Sequence, residues 1–508
     1  MMTWYRHSWI ALVVILSASV VTAQDDPRPG APGIGDPYFE MLGNGGYDVD
    51  HYTLTLDIDM IDLTLDSVAQ IDATAAQALS AFNLDFSALL NLGIVTVNDA
   101  PAETARDGDE LTITPSQPIA AGAAFTVRVE YDGTPNADQM ALRTEENPSA
   151  GIDYSSGWHF IDGQVMTASE PYGASSWYPV NDHPLDKATY TFDIRVTPGA
   201  VAVANGVLTT VETVDGADRY VWEMRQPMAS YLAAVQVGDF VLQEGESPAG
   251  VPIRNFFPTD RFSDGVLTFA RQGEMIDFFS GLFGAYPFDA YGVVVVDLPL
   301  FFALETQSIS LFGVATINRG RFGGANEIIA HELAHQWFGN SVTLGEWADI
   351  WLNEGFASYM SWLWAEHDLG ADTLDRIVRS NYDWVSGNWL VESDTTDAEL
   401  ADIRAELAVM IVPPGAPPQA DLFNGGGVYI RGGLALHALR LEVGDDIFFE
   451  LLRTYYERFA FDSARIEDFI AVANEVAGRS LDAFFAAWLT DPLIPPIPQM
   501  ELERLIDG

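Results

Sequence analysis

His331 and His335 stand four residues apart in "HELAH", Glu332 sits between them, and Glu354 follows after eighteen intervening residues. Helical residues at i and i+4 project from one face, so the two imidazoles can reach a single ion. The apolar spacing around them, with Ile328 and Ile329 ahead and Leu333 and Trp337 behind, is that of a helix. Glu332 falls one step round the same helix, where it can touch a water on the metal without becoming a ligand. Hydrolytic zinc commonly takes a carboxylate as its third protein ligand and keeps a fourth position for water. Glu354, in "WLNEGFASY", can supply that carboxylate, because the intervening chain is long enough to end one helix, turn through "GNSVTLGEW" and return. The bland alternative is a solvated helical face. Trp337, Phe338, Trp347, Trp351, Leu352 and Phe356 argue for burial instead, and buried ionisable groups are costly unless paired or bound to a metal. One zinc ion per chain is expected, on His331, His335 and Glu354.

The elements that position these residues follow from periodicity. In "HYTLTLDIDMI", Tyr52, Leu54, Leu56, Ile58 and Met60 alternate with polar residues, and "FTVRVEY" and "YTFDIRV" repeat the pattern. Asn205-Gly206, between two apolar runs, reads as a hairpin turn. "YGVVVVDLPL" reads as a short, fully buried strand, and from Asn326 onward the spacing is mainly helical. "VPPGAPPQADLFNGGG" is a long loop, and prolines end the last helix in "LDAFFAAWL". The expected fold class is α+β: an N-terminal antiparallel β domain over 38–245 and a mainly helical catalytic domain over 246–495, with a tail at 496–508.

The chain has 508 residues, enough for two domains, and 48% of them are apolar, enough for real cores. Arg6 and His7 precede the thirteen-residue apolar run "WIALVVILSASVV", which ends in "VTA". That run is shorter than the roughly 20 residues a spanning helix needs. Residues 1–23 read as a secretory signal peptide cut after Ala23, the rival being an uncleaved anchor. Residues 24–37, rich in Pro and Gly, read as a linker. The expected location is outside the cell or in the envelope, with no membrane association after cleavage. Cysteine is absent, which excludes disulfides and a thiolate zinc site. A formal net charge of −49, with Lys187 the single lysine, disfavours nucleic acid and anionic membranes as partners.

The signature "HELAHQWFGN…WLNEGFASY" resembles the gluzincin zinc aminopeptidases of the aminopeptidase N and leukotriene hydrolase type. "SEPYGASSWYPVNDHPLDKATY" (169–190) resembles a turn of that family's β domain, and "VYIRGGLALHALR" (428–440) the helix bearing its catalytic tyrosine. The likeness spans about residues 36–495 and implies a thermolysin-like catalytic domain. It implies that Glu332 is the general base for attack of a zinc-bound water on the scissile carbonyl. It implies that Tyr429 donates a hydrogen bond to the developing oxyanion; Tyr455 and Tyr456 fit less well, inside the following helix. Asp349 and Glu346 are candidates for carboxylates that orient the ligand imidazoles, the alternative for each being a solvated loop acid.

The family's amine-binding strand, Gly-Ala-Met-Glu-Asn, corresponds to "FALET", Phe302 to Thr306. Glu305 is retained to bind the α-ammonium and Ala303 to pair with the substrate backbone, while Phe302, Leu304 and Thr306 depart from the pattern. Phe302 is expected to narrow the first side-chain pocket. Ala168 stands where many members have a glutamine, and Glu170 is a candidate to reach the amine in its place. The large C-terminal helical domain of longer members has no counterpart in this sequence, so a more open cleft is expected. The resemblance implies a secreted peptidase removing N-terminal residues from peptides. The alternatives are an endopeptidase or other hydrolase on the same zinc site, or a non-catalytic zinc-bearing scaffold.

Overall fold

The computed structural model describes residues 26–140, 157–300, 302–320, 324–392 and 394–505. The signal-peptide reading falls on residues outside these. Strand Tyr47–Asp59 buries Val49, Tyr52, Leu54, Leu56 and Ile58. The phase slips between Val49 and His51, where the register with the neighbouring strand Thr64–Ala75 shifts. These two strands lie at the middle of an eight-stranded sheet running from Val207–Val214 at one edge to Ala100–Pro101 at the other. Pairing within it is antiparallel apart from Ala188–Val196, which runs parallel to Tyr47–Asp59. That register sets Tyr190 opposite Tyr52, and their rings stack with centroids 4.8 Å apart. Two four-stranded sheets complete this unit.

Asn205-Gly206 does not make the expected hairpin. Val201–Ala204 pairs with Val235–Gly238 in one sheet, whereas Val207–Val214 pairs with Ala217–Met228 in another. The dipeptide is a corner between sheets. Gly206 has φ +85°, and a Cβ there would lie 1.9 Å from the carbonyl oxygen of Glu223. The buried Asn205 carboxamide donates to the carbonyls of Leu232 and Gln307 and accepts from the N–H of Ala234. The dipeptide turns the chain, but tertiary hydrogen bonds and not a hairpin decide which strands it joins.

Residues 26–37 are not a free linker either. Arg28–Pro29 pairs with Leu79–Asp85. Asp36 is 3% exposed and accepts from the N–H groups of Tyr38, Phe39 and Trp347, with His183 Nε2 at 3.2 Å. It thereby ties the leader to the β domain and to the segment just ahead of Glu354. Burial pushes the Asp36 carboxyl up, but the His183 and backbone hydrogen bonds outweigh it and hold it at about 2. Because the folded value lies below the unfolded one, this contribution is full above about pH 4–5 and is lost as pH falls toward 2. Asp36→Ala should cost about 2 kcal/mol by orphaning buried donors. The gap between melts of wild type and variant should be full at pH 7 and narrower at pH 3, closing only toward pH 2. An equal gap at both pH values would refute the clamp.

Phe240–Glu246 belongs to the second unit. It pairs antiparallel with Pro252–Pro258, followed by the parallel strands Tyr291–Val296 and Ser310–Gly313. The boundary thus falls just before Phe240. Tyr291–Val296 is buried throughout, as its uninterrupted apolar run predicts. Asn326–Ala334 carries the first half of the motif and Trp351–Leu369 the second, and the two helices pack on each other. A wide helical turn, Gly425–Arg431, leads into Gly432–Val443. In the expected tail, Ile497, Met500 and Leu502 are buried, so it packs as part of this unit. No helix among the described residues is long and apolar enough to cross a membrane.

Candidate functional site

His331 Nε2 lies 3.1 Å from Glu354 Oε2 and 3.1 Å from His335 Nε2, and His335 Nε2 lies 3.4 Å from Glu354 Oε2. Bonds of ~2.0–2.1 Å at tetrahedral angles set donor atoms about 3.3–3.4 Å apart. The three atoms therefore outline one face of a zinc tetrahedron, and the predicted ligand set fits the ion. Helix geometry supplies two of them. Packing of the second motif helix supplies the third.

His335 Nδ1 faces the carbonyl oxygen of Phe338 at 3.1 Å, which fixes the ring and leaves Nε2 toward the metal position. For His335 a backbone carbonyl fills the role for which Asp349 and Glu346 were candidates. Glu346 instead pairs with Arg465 at 2.7 Å. Burial and the neighbouring Glu346 and Glu467 raise the Asp349 carboxyl to about 7.

Four buried or half-buried carboxylates converge here. Ligand atoms of Glu305, Glu332 and His335 lie within 4.8 Å of one another, as do those of Glu170, Glu305 and Glu354. Burial, reinforced by the mutual repulsion of these groups, raises Glu170, Glu305 and Glu332 above the usual carboxylate range. One oxygen each of Glu305 and Glu170 is buried without a hydrogen-bond partner. Burial pushes the His335 imidazole down, but Glu305 and Glu354 more than reverse this. The field at this spot attracts positive charge. A dication on the His/His/Glu face and an ammonium between Glu170 and Glu305 would both satisfy it.

Tyr429 stands on the other side, its ring parallel to that of His331 with centroids 6.0 Å apart and 14° between planes. Burial and then Glu354 push its hydroxyl well above the usual tyrosine value, so it stays a neutral donor. Leu304 exchanges both backbone hydrogen bonds with Leu311. Strand alternation then turns the N–H and C=O of Ala303 to the opposite edge, and Ala303 lines the cleft together with Phe302 and Glu305. Gln336 and Asn340 hold this strand: both side chains donate to the carbonyl of Glu305, at 3.1 and 2.7 Å, and Gln336 Oε1 accepts from the N–H of Ser308. Lys187 Nζ in turn donates to the carbonyls of Asn340 and Ser341, at 3.0 and 2.9 Å. The β domain thereby braces the site.

The structure brings together all seven residues singled out from sequence, His331, His335, Glu354, Glu332, Tyr429, Glu305 and Ala303, round a cleft of about 420 Å³. Glu170, left open by the sequence between the amine and the turn, also faces the cleft. Gln336 and Asn340 were missed. Their only signal was polarity inside an otherwise apolar run, "HQWFGN".

Comparison with known proteins agrees with this geometry. Residues 48–232 match the Peptidase M1 N-terminal domain and residues 268–488 the Peptidase family M1 domain. The chain is 26% identical over 454 residues to aminopeptidase M1-C of Oryza sativa subsp. japonica, covering 87% of this chain and 49% of that protein. It is 28% identical over 347 residues to aminopeptidase M1-B of the same plant, covering 66% and 38%. The chain therefore spans about half or less of these curated relatives. Among solved structures, the M1 zinc metallopeptidase from Deinococcus radiodurans superposes with a TM-score of 0.75 at 28% identity, covering 92% of this chain and 98% of that one. A mutant of that protein, solved with a Tyr-Ser-Ala substrate, superposes equally well.

Proposed function

The chain belongs to the M1 peptidase family, and on that premise we propose that it is a zinc aminopeptidase acting on peptides with a free N-terminus. Export with cleavage after Ala23 is part of the same proposal, supported by the leader sequence. His331, His335 and Glu354 hold the ion, which when bound acidifies a coordinated water and polarises the scissile carbonyl. Glu305 and Glu170 receive the substrate's α-ammonium, and the backbone of Ala303 pairs with the peptide. Glu332 accepts the proton of the attacking water and returns it to the departing amine nitrogen. The Tyr429 hydroxyl donates to the oxygen that gains charge during attack. The relative bound to Tyr-Ser-Ala supports a peptide substrate.

The observation that carries the reading is the pair of buried, unpartnered carboxylate oxygens on Glu170 and Glu305 beside the metal face. An endopeptidase would have to bury them against a neutral main chain. The test compares zinc-loaded mature protein on matched peptides with free and acetylated N-termini. Stepwise release of single residues from the free peptides alone is expected, with acetylation reducing kcat/KM at least a hundredfold, since it leaves desolvated charge unpaired. Equal cleavage of the acetylated peptides would make the protein an endopeptidase on this frame.

A further inference from the structure

Arg319 is an anomaly of charge. Among the described arginines its exposed side chain alone has no hydrogen bond, ion pair or ring contact, in a chain whose formal net charge is −49. It ends the helix Val314–Gly320 and lines the same cleft as the metal face. Among the described lining residues it is the one permanent cation; the charged remainder is carboxylates and the two ligand histidines.

The fold gives this cleft a direction. The antiparallel bridge between Leu304 and Leu311 sets Phe302 opposite Gly313 along the strands. The helix bearing Arg319 starts at Val314, past the Phe302 end and away from Glu305. A peptide paired antiparallel with Ala303, its ammonium at Glu305, runs from Glu305 toward Phe302 and so toward Arg319. The zinc helix agrees. Gln336 and Asn340, which anchor the Glu305 carbonyl, follow its C-terminal end, while Glu327 and Ile328, which line the cleft with Arg319, lie one turn before His331.

We propose that Arg319 binds the C-terminal carboxylate of short peptides, so that the cleft reads both charged ends of its substrate. This deepens the aminopeptidase reading and rests on it. A guanidinium presents two parallel N–H donors matched to a carboxylate, and an unpaired one needs no existing partner displaced. Glu327 shares this wall and opposes the carboxylate as a point charge, so fork geometry rather than net potential carries the recognition. A volume of about 420 Å³ suits a few residues rather than a long chain.

The test measures binding first. Leu-Gly-Gly and its C-terminal amide are titrated calorimetrically into zinc-loaded Glu332→Gln protein, with and without Arg319→Ala, and cleavage of both peptides by the active enzyme is followed in parallel. The acid should bind about tenfold tighter than the amide, and Arg319→Ala should bring the ratio close to one, with Arg319→Lys between the two. Equal affinities in the parent protein, or a ratio that survives Arg319→Ala, would overturn the inference. So would a ratio restored by an aspartate side chain in an amidated peptide, which would make Arg319 a side-chain selector. Absence of cleavage with the binding ratio intact would count against the aminopeptidase reading alone.

Discussion

Glu332→Gln lowers kcat/KM by about a thousandfold or more, with zinc content and KM nearly unchanged. Glutamine keeps the shape and burial of the side chain but cannot take a proton, so what is removed is the base, an effect typically of ~10²–10⁴. Burial, together with Glu305 and Glu354, already raises the Glu332 carboxyl. The same crowding makes a second outcome expected. Removing one of four converging carboxylates relieves repulsion, so the melting temperature of the variant should not fall. A variant that keeps a tenth of the activity with full zinc occupancy would exclude Glu332 as the base. A variant that loses its zinc would show that Glu332 serves the metal instead.

Tyr429→Phe is the next largest effect, a loss of about a hundredfold or more in kcat. One oxyanion donor is worth ~3–4 kcal/mol, delivered only in the transition state, so KM should change little. The ring can stay where it is, parallel to His331 at 6.0 Å, and only the hydroxyl is lost. Because burial and Glu354 drive that hydroxyl upward, it does not ionise in the working range, and the alkaline limb of the wild-type pH profile must belong to another group. The variant should therefore keep the same alkaline limb at lower amplitude. A less than threefold change in kcat, or a changed limb, would remove Tyr429 from this role.

The legibility of the site in the sequence was uneven, for physical reasons. The metal face was readable because i and i+4 projection is a property of one helix, and the span from His335 to Glu354 is barely a turn and a return. Glu332 followed from the same geometry. Glu305 and Ala303 were placed through the family likeness of "FALET", not through any local period. The Phe338 carbonyl that orients His335 was not legible, because a carbonyl is present in every residue and leaves no mark on composition.

What this sequence determined by itself was what short-range geometry and side-chain chemistry encode: the alternating strand Tyr47–Asp59, the buried strand Tyr291–Val296, and the two helices with their zinc donors. Only the tertiary structure decided the partners separated by long stretches of chain. It turned Asn205-Gly206 from a hairpin into a corner, made a clamp of the leader through Asp36, and brought Glu170 to the metal face. It also left the Arg319 side chain unpaired on the wall of the cleft. Contacts between residues a hundred or more positions apart have no period to betray them, so their meaning appears only once packing has chosen which surfaces meet.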